Sequence, residues 1–186
     1  MVISRFKNLG FIIIFLIIII SIIFLAESNL RNRIQLYQEQ QTLETLRSVF
    51  LNVAYYSFDE NIQIYAVYDS TKSKLGYAFY AEGLGIEIPH SEQGGKTAGP
   101  IVILIGLEDY NTIKDVSVIS HSETWWFWNM LMEENYLAQF KGLKIEDAYF
   151  KTEGGKVDCV TGATLSSTLV LDTVRLKVLE IIKYIQ

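Results

Sequence analysis

Cysteine, histidine and proline are all scarce in this chain of 186 residues, which holds one Cys, two His and two Pro. A lone thiol cannot form an internal disulfide framework. No Cys or His stands near Cys159 at ligand spacing, so a thiolate metal site and a cysteine-ligated iron–sulfur cluster are excluded, and Cys159 reads as a small packing residue. The chain lacks a Cys-x-x-Cys-His haem-attachment sequence and the Gly-x-Gly-x-x-Gly fingerprint of a dinucleotide-binding turn. Ser166, Ser167, His121 and Asp158 occur, but no nucleophile-elbow sequence does, which leaves little for a hydrolase. Basic residues are outnumbered, 16 Lys and Arg against 21 Asp and Glu. A nucleic-acid partner is therefore disfavoured, because phosphate binding needs a basic surface. There is no internal repeat, low-complexity tract or Pro-rich linker.

What the chain does have begins at its N-terminus. Leu9–Ala26 runs for eighteen residues without a charge, about 27 Å as a helix and close to the hydrocarbon thickness of a bilayer. A cleaved signal peptide would have a shorter apolar core and a small-x-small site. Here Phe24 stands two places before Ala26, so the run is read as a retained transmembrane helix. Arg5 and Lys7 place the tail, residues 1–8, in the cytoplasm, although Arg31 and Arg33 weaken the asymmetry. The remainder is then exported. It is acidic, and its 160 residues suffice for one domain with a real core, not two.

Beyond the anchor, residues 27–60 read as a membrane-proximal helical connector, with a helix over Glu27–Phe50, and residues 61–186 as one domain. Ile62–Tyr68 and Gly76–Ala81 read as strands joined by a turn at Asp69-Ser70-Thr71, and Gly83–Gly99 as an irregular loop. Pro100–Leu107 is the most apolar segment and the expected central strand; Ile113–Ser120 returns beside it as a hairpin partner. A helix is expected over Ser122–Phe140, a short strand over Asp147–Phe150, and a closing amphipathic helix over Ala163–Ile185. The last has Leu165, Leu169, Val174, Val178 and Ile182 toward the core. Strands grouped together with helices at the ends predict an α+β fold, an antiparallel sheet flanked by helices.

The segment Asp158-Cys159-Val160-Thr161-Gly162-Ala163-Thr164 has the form Asp-x-x-Thr-Gly-Ala-Thr and leads into that last helix. The first N–H groups of a helix lack internal partners and the helix dipole is positive there, so a hydroxyl at this place is well set to carry a phosphate. Gly162 allows torsions closed to other residues and leaves its N–H uncovered. Thr161 alone would equally serve as an ordinary N-cap.

With the Asp included, the pattern resembles the flavinylation motif of a family of FMN-binding domains. That family comprises the RnfG component of the Rnf electron-transport complex and the NqrC component of the sodium-pumping NADH:quinone reductase. Gly99-Pro100 resembles the family's strand start, Val118–Thr124 its His-x-Glu-Thr sequence, and Phe140-Lys141-Gly142 its Phe-Lys-Gly. The likeness covers roughly residues 75–185. It implies FMN joined to Thr164 through a phosphodiester by a separate flavin transferase, with Asp158 and Thr161 in the recognition sequence. It also places Glu123 and Thr124 near the flavin, with Gly162, Ala163, Leu165 and Trp125 as further candidate cofactor-binding residues. The implied role is electron relay at the outer face of the cytoplasmic membrane, beside the other integral-membrane components of a ferredoxin:NAD oxidoreductase coupled to sodium or proton movement. The protein would be single-pass and anchored in the lipid bilayer, with its domain on the periplasmic or extracellular side. Two other readings stay open: a stand-alone flavinylated carrier, and a non-redox docking protein.

One departure stands out. Where the family continues with Pro-Gly-Leu-Gly, this chain has Trp125-Trp126-Phe127-Trp128, which holds all three of its tryptophans. They suit a core, a stacking surface for a flat ring, or an interface with a membrane or a partner protein. His121 reads as a structural residue and Lys156 as a solvated turn residue. Glu123 and Thr124 alternatively cap the following helix.

Overall fold

The computed structural model describes residues 2–85 and 99–185; for residues 2–18, 22, 26, 28, 29 and 32 only the backbone is described. The chain divides into two compact units, Met1–Thr42 and Leu43–Gln186. Helix α1 (Val2–Arg47) supplies all of the first, where the described side chains of Ile20, Ile23 and Phe24 are exposed. Among the described residues no helix is long and apolar enough to cross a membrane. Most side chains of the 9–26 run lie outside those described.

The second unit is built on five antiparallel strands in sequence order: β1 (Tyr55–Asp59), β2 (Ile64–Tyr68), β3 (Lys74–Gly83), β4 (Ile101–Leu107) and β5 (Ile113–His121). Two helices follow, α2 (Trp125–Glu133) and α3 (Thr164–Ile185), so the α+β reading with an antiparallel sheet holds. Most of the expected loop 83–99 lies outside the described residues.

The apolar run of β4 has a plain cause, because both faces of that strand are covered. Ile101, Ile103, Ile105 and Leu107 join the large core, which α3 closes with Leu169, Val170, Val174, Val178 and Ile181. Leu104 points the other way, into a smaller core made by Leu46 in the last turn of α1 and by Val49, Phe50 and Val53 after it. Each such side chain, fully buried, contributes roughly 1.5–3 kcal/mol relative to exposure. Strand β3 alternates between the same two cores, with Phe79 and Ala81 in the large one and Ala78 in the small one. Helix α3 lies very close to the end of β3. A Cβ on Gly83 would stand 2.3 Å from Thr173 Oγ1 and 2.9 Å from Ile101 Cγ2.

Four local expectations are corrected. Residues 55–59 form strand β1 inside the stretch read as helical connector, because four of its five residues are exposed and no alternation marks it. That strand and β2 extend the sheet beyond β3, so β3 is the middle strand and β4 its neighbour. The helix expected over 122–140 is interrupted. Asn135 adopts a left-handed backbone (φ 50°), ending α2, and a 3-10 helix follows over Tyr136–Phe140. Residues 147–150 form no strand: a 3-10 turn (Ile145–Asp147) is followed by a lone parallel bridge between Phe150 and Val157.

Candidate functional site

Helix α3 begins at Thr164, so the motif is the loop that enters the helix and its last threonine is the first helical residue. Gly162 has φ +87°, a left-handed turn that a side chain would strain, and this turn swings the chain into the helix axis. Ala163 is buried beneath the turn, Leu165 is half-buried, and Thr161, Gly162 and Thr164 are exposed. The N–H groups of Thr164, Leu165 and Ser166 are those a helix leaves without intrahelical partners, at the positive end of its dipole.

Residues far away in sequence hold this loop. The side-chain amide of Gln139 grips Asp158 at both backbone groups. The Asp158 N–H donates to Gln139 Oε1 (2.7 Å) and Gln139 Nε2 donates to the Asp158 carbonyl (3.2 Å). Lys151 pairs with the Asp158 carboxylate in a largely exposed contact, which contributes little to stability. The Val160 N–H donates to Ser167 Oγ (3.1 Å), and Ser167 Oγ donates to the Ala163 carbonyl (3.0 Å). Buried Tyr136 donates its hydroxyl to the Ser167 carbonyl (2.8 Å). Burial pushes the Tyr136 phenol far above its usual range, with Cys159 and Asp172 adding to the effect, so it stays a donor. Of these partners only Ser167 is named from the sequence, and not in this role. Phe140-Lys141-Gly142 marked the neighbourhood, but no periodicity or motif points at an amide on a 3-10 helix.

The segment after β5 reaches the same place. Glu123 is 8% exposed, and Ser166 Oγ in the first turn of α3 donates to its Oε2 (2.8 Å). Its other oxygen, Oε1, is buried and has no hydrogen-bond partner among the described residues. Glu123 thus turns inward rather than capping α2. Thr124 occupies the N-cap position, exposed, with no side-chain capping bond. Helix α2 also lies against the motif, since a Cβ on Gly162 would be 3.4 Å from Met130 Sδ. Two motifs some forty residues apart are therefore joined at one point.

The aromatic cluster is split. Trp125 and Trp126 are 69% and 60% exposed, Phe127 and Trp128 are half-buried, and Trp128 stacks on His121 at 4.0 Å. Among the described residues no contact places Trp125 on the motif itself. Cys159 is exposed, against the packing role expected of it, because the loop directs it away from the core. Lys156 faces solvent in its turn and pairs with Asp147 at 2.7 Å. A surface groove of about 530 Å³ bounded by Phe58, Tyr65, Tyr80, Glu82, Lys177 and Glu180 lies apart from all these residues.

Chemically the site offers an exposed hydroxyl at a helix start, an uncovered glycine N–H, and a buried carboxyl oxygen without a donor. A phosphate suits the first two, and an N–H or O–H of a bound group suits the third, so these residues fit a flavin nucleotide.

Residues 97–177 match the model of the FMN-binding domain family. The chain is 30% identical over 105 residues to the G-type component of the ion-translocating oxidoreductase complex of Methanosarcina acetivorans, an alignment covering 56% of this chain and 50% of that protein. The chain thus spans about half the length of that curated relative. Among solved structures, Shewanella oneidensis NqrC aligns with a TM-score of 0.46 at 19% identity, over 74% of this chain and 73% of that one. Residues 97–177 thus resemble FMN-binding domains, and the chain is similar over part of its length to the G-type component of an ion-translocating oxidoreductase complex.

Proposed function

We propose that this chain is a membrane-anchored covalent flavoprotein that relays electrons through FMN on Thr164 at the outer face of the cytoplasmic membrane. It would serve as the RnfG component of an Rnf-type ferredoxin:NAD oxidoreductase coupled to sodium or proton translocation. The observation that carries the reading is the exposed Thr164 as first residue of α3, behind the left-handed turn at Gly162 and beside buried Glu123.

Attachment is a phosphoryl transfer. Thr164 Oγ bonds to the phosphorus of an FMN phosphoanhydride, the anhydride bond breaks, and the other phosphate leaves. The hydroxyl proton passes to a base of the flavin transferase. Thr164, as first residue of α3, would hold the phosphodiester at the helix start, where the N–H groups and dipole favour negative charge. Glu123 Oε1 would be free to accept a hydrogen bond from the cofactor, and Trp125, exposed nearby in sequence, would offer a flat face for the ring. Asp158 and Thr161 are read by the transferase, and Gly162 and Ala163 leave the approach open. The bound flavin supplies the electron transfer; the chain orients it. Covalent attachment suits an exported carrier, because a flavin lost outside the cell is not recovered.

The anchor rests on the charge-free run 9–26 and on the exposed Ile20, Ile23 and Phe24, which call for apolar cover. The N-terminal tail lies in the cytoplasm and the flavin domain on the far side of the bilayer, beside the other integral-membrane components. The exposed Trp125 and Trp126 also favour a second reading, a docking protein that uses them as an interface. Thr164→Ala and Thr164→Ser variants, expressed with an active flavin transferase, separate the two. Covalent flavin lost in Thr164→Ala and kept in Thr164→Ser supports the flavoprotein. Covalent flavin on Thr164→Ala, or none on any form, removes it.

A further inference from the structure

We infer that the 3-10 helix Tyr136–Phe140 is a template that holds the acceptor loop in the shape the modifying enzyme reads, and that Gln139 is its positioning residue. The inference rests on Thr164 being the flavin acceptor, as proposed above.

Loops that are covalently modified are commonly mobile segments that adapt to the modifying enzyme, and the ordering then reduces affinity. This loop is fastened before any enzyme arrives. Gln139 completes both backbone hydrogen bonds of Asp158, as a neighbouring strand would, and so fixes the loop's entrance. Tyr136, one turn earlier on the same 3-10 helix, fixes the exit by bonding the Ser167 carbonyl in the first turn of α3. Ser167 ties the two ends together by accepting from the Val160 N–H. The Tyr136 and Ser167 bonds are buried beneath the loop, whereas the Gln139 pair closes its entrance at the surface. The side chains left exposed are those of Asp158, Cys159, Thr161 and Thr164, with Gly162 bare between them. The backbone is held at both ends while the side chains of Asp158, Cys159, Thr161 and Thr164 stay exposed.

Gln139 does not touch the acceptor hydroxyl, so its effect must pass through Asp158. Removing its amide frees two backbone groups at the loop entrance while leaving the core unchanged, since the side chain is only half-buried. The ordering lost then has to be supplied during binding to the transferase. A rise in KM follows, with kcat little changed.

The test uses the full chain in detergent with purified flavin transferase and its flavin donor, following attachment by intact mass. Gln139→Ala is compared with Gln139→Glu, which keeps the shorter bond from the Asp158 N–H but cannot donate to the carbonyl. The wild-type chain is expected to take up FMN. Gln139→Ala is expected to lose roughly tenfold in kcat/KM, carried by KM, with Gln139→Glu between the two and all three melting cooperatively above the assay temperature. Faster amide exchange at Asp158–Thr161 in Gln139→Ala, with exchange in β3 and β4 unchanged, is the accompanying signature. Equal kcat/KM in wild type and Gln139→Ala overturns the template while leaving Thr164 as the acceptor. A loss in kcat alone, or exchange accelerated throughout the domain, overturns it too. No attachment to the wild-type chain by a transferase shown to be active overturns both readings.

Discussion

Ser166→Ala provides a sharp test of how the two halves of the site are joined. Ser166 Oγ is the group that donates to the buried Glu123 carboxyl, at 2.8 Å, and the other carboxyl oxygen already lacks a partner among the described residues. Deleting the hydroxyl leaves a carboxyl 8% exposed without its one donor among the described residues. A hydrogen bond contributes about 0.5–1.5 kcal/mol, and an orphaned buried polar group costs about 1–3 kcal/mol. A loss of about 2 kcal/mol is expected, or a fall in Tm of roughly 4–8 °C for a domain of this size. Glu123→Leu combined with Ser166→Ala removes both polar partners at once and should lie near the wild type in stability, since replacing both members of a buried pair is close to neutral. Urea unfolding of the four unflavinylated forms, followed by circular dichroism, measures the cycle. Additive losses, with the double variant at least as unstable as Ser166→Ala, would refute the claim that an unpaired Glu123 is the source of the cost.

Gly83→Ala should destabilise by about 1–3 kcal/mol, because the new methyl meets Thr173 Oγ1, Ile101 and Leu169 at 3.0 Å or less; adding Thr173→Ala should recover part of that loss in the same unfolding assay. Tyr136→Phe should cost about 1 kcal/mol at neutral pH through the lost bond to the Ser167 carbonyl. Its alkaline behaviour carries a definite sign. The phenol is raised far above its unfolded value, so its contribution is fully present below about pH 10 and is lost as the pH rises further, when the unfolded chain releases a proton the folded chain keeps. Stability measured from pH 8 to 11 should therefore fall less steeply in Tyr136→Phe than in the wild type. Tyr65 and Tyr80, also raised by burial, add a shared alkaline loss in both proteins.

Much of the fold was legible because it rests on burial. β4 shows as an apolar run because both of its faces are covered, and α3 shows its period because one face closes the core over Leu169, Val174 and Val178. β1 was not legible, since four of its five residues are exposed and its pairing with β2 is a backbone matter with little hydrophobic signature. The break after α2 depends on one left-handed residue, Asn135, which helical periodicity does not register.

In the site, Thr164, Gly162 and Asp158 could be read as a local pattern, and the fold places them where a loop becomes a helix. Glu123 could be named but not its role, because its partner Ser166 lies 43 residues away and only the packing of α3 brings them together. Gln139 and Tyr136 were invisible for the same reason. Their work is done by side-chain atoms on backbone groups across long sequence separations, and nothing in composition or spacing encodes it.

The most direct measurement is peptide mapping by mass spectrometry of the full chain purified from cells with an active flavin transferase, together with in-gel flavin fluorescence. The expected result is a fluorescent band whose peptide containing Thr164 carries the mass of FMN less one water, with the fragment ions placing it on that residue. An unmodified Thr164 peptide from cells whose transferase modifies another substrate would contradict the covalent flavoprotein and move the exposed tryptophans, as a docking surface, to the front.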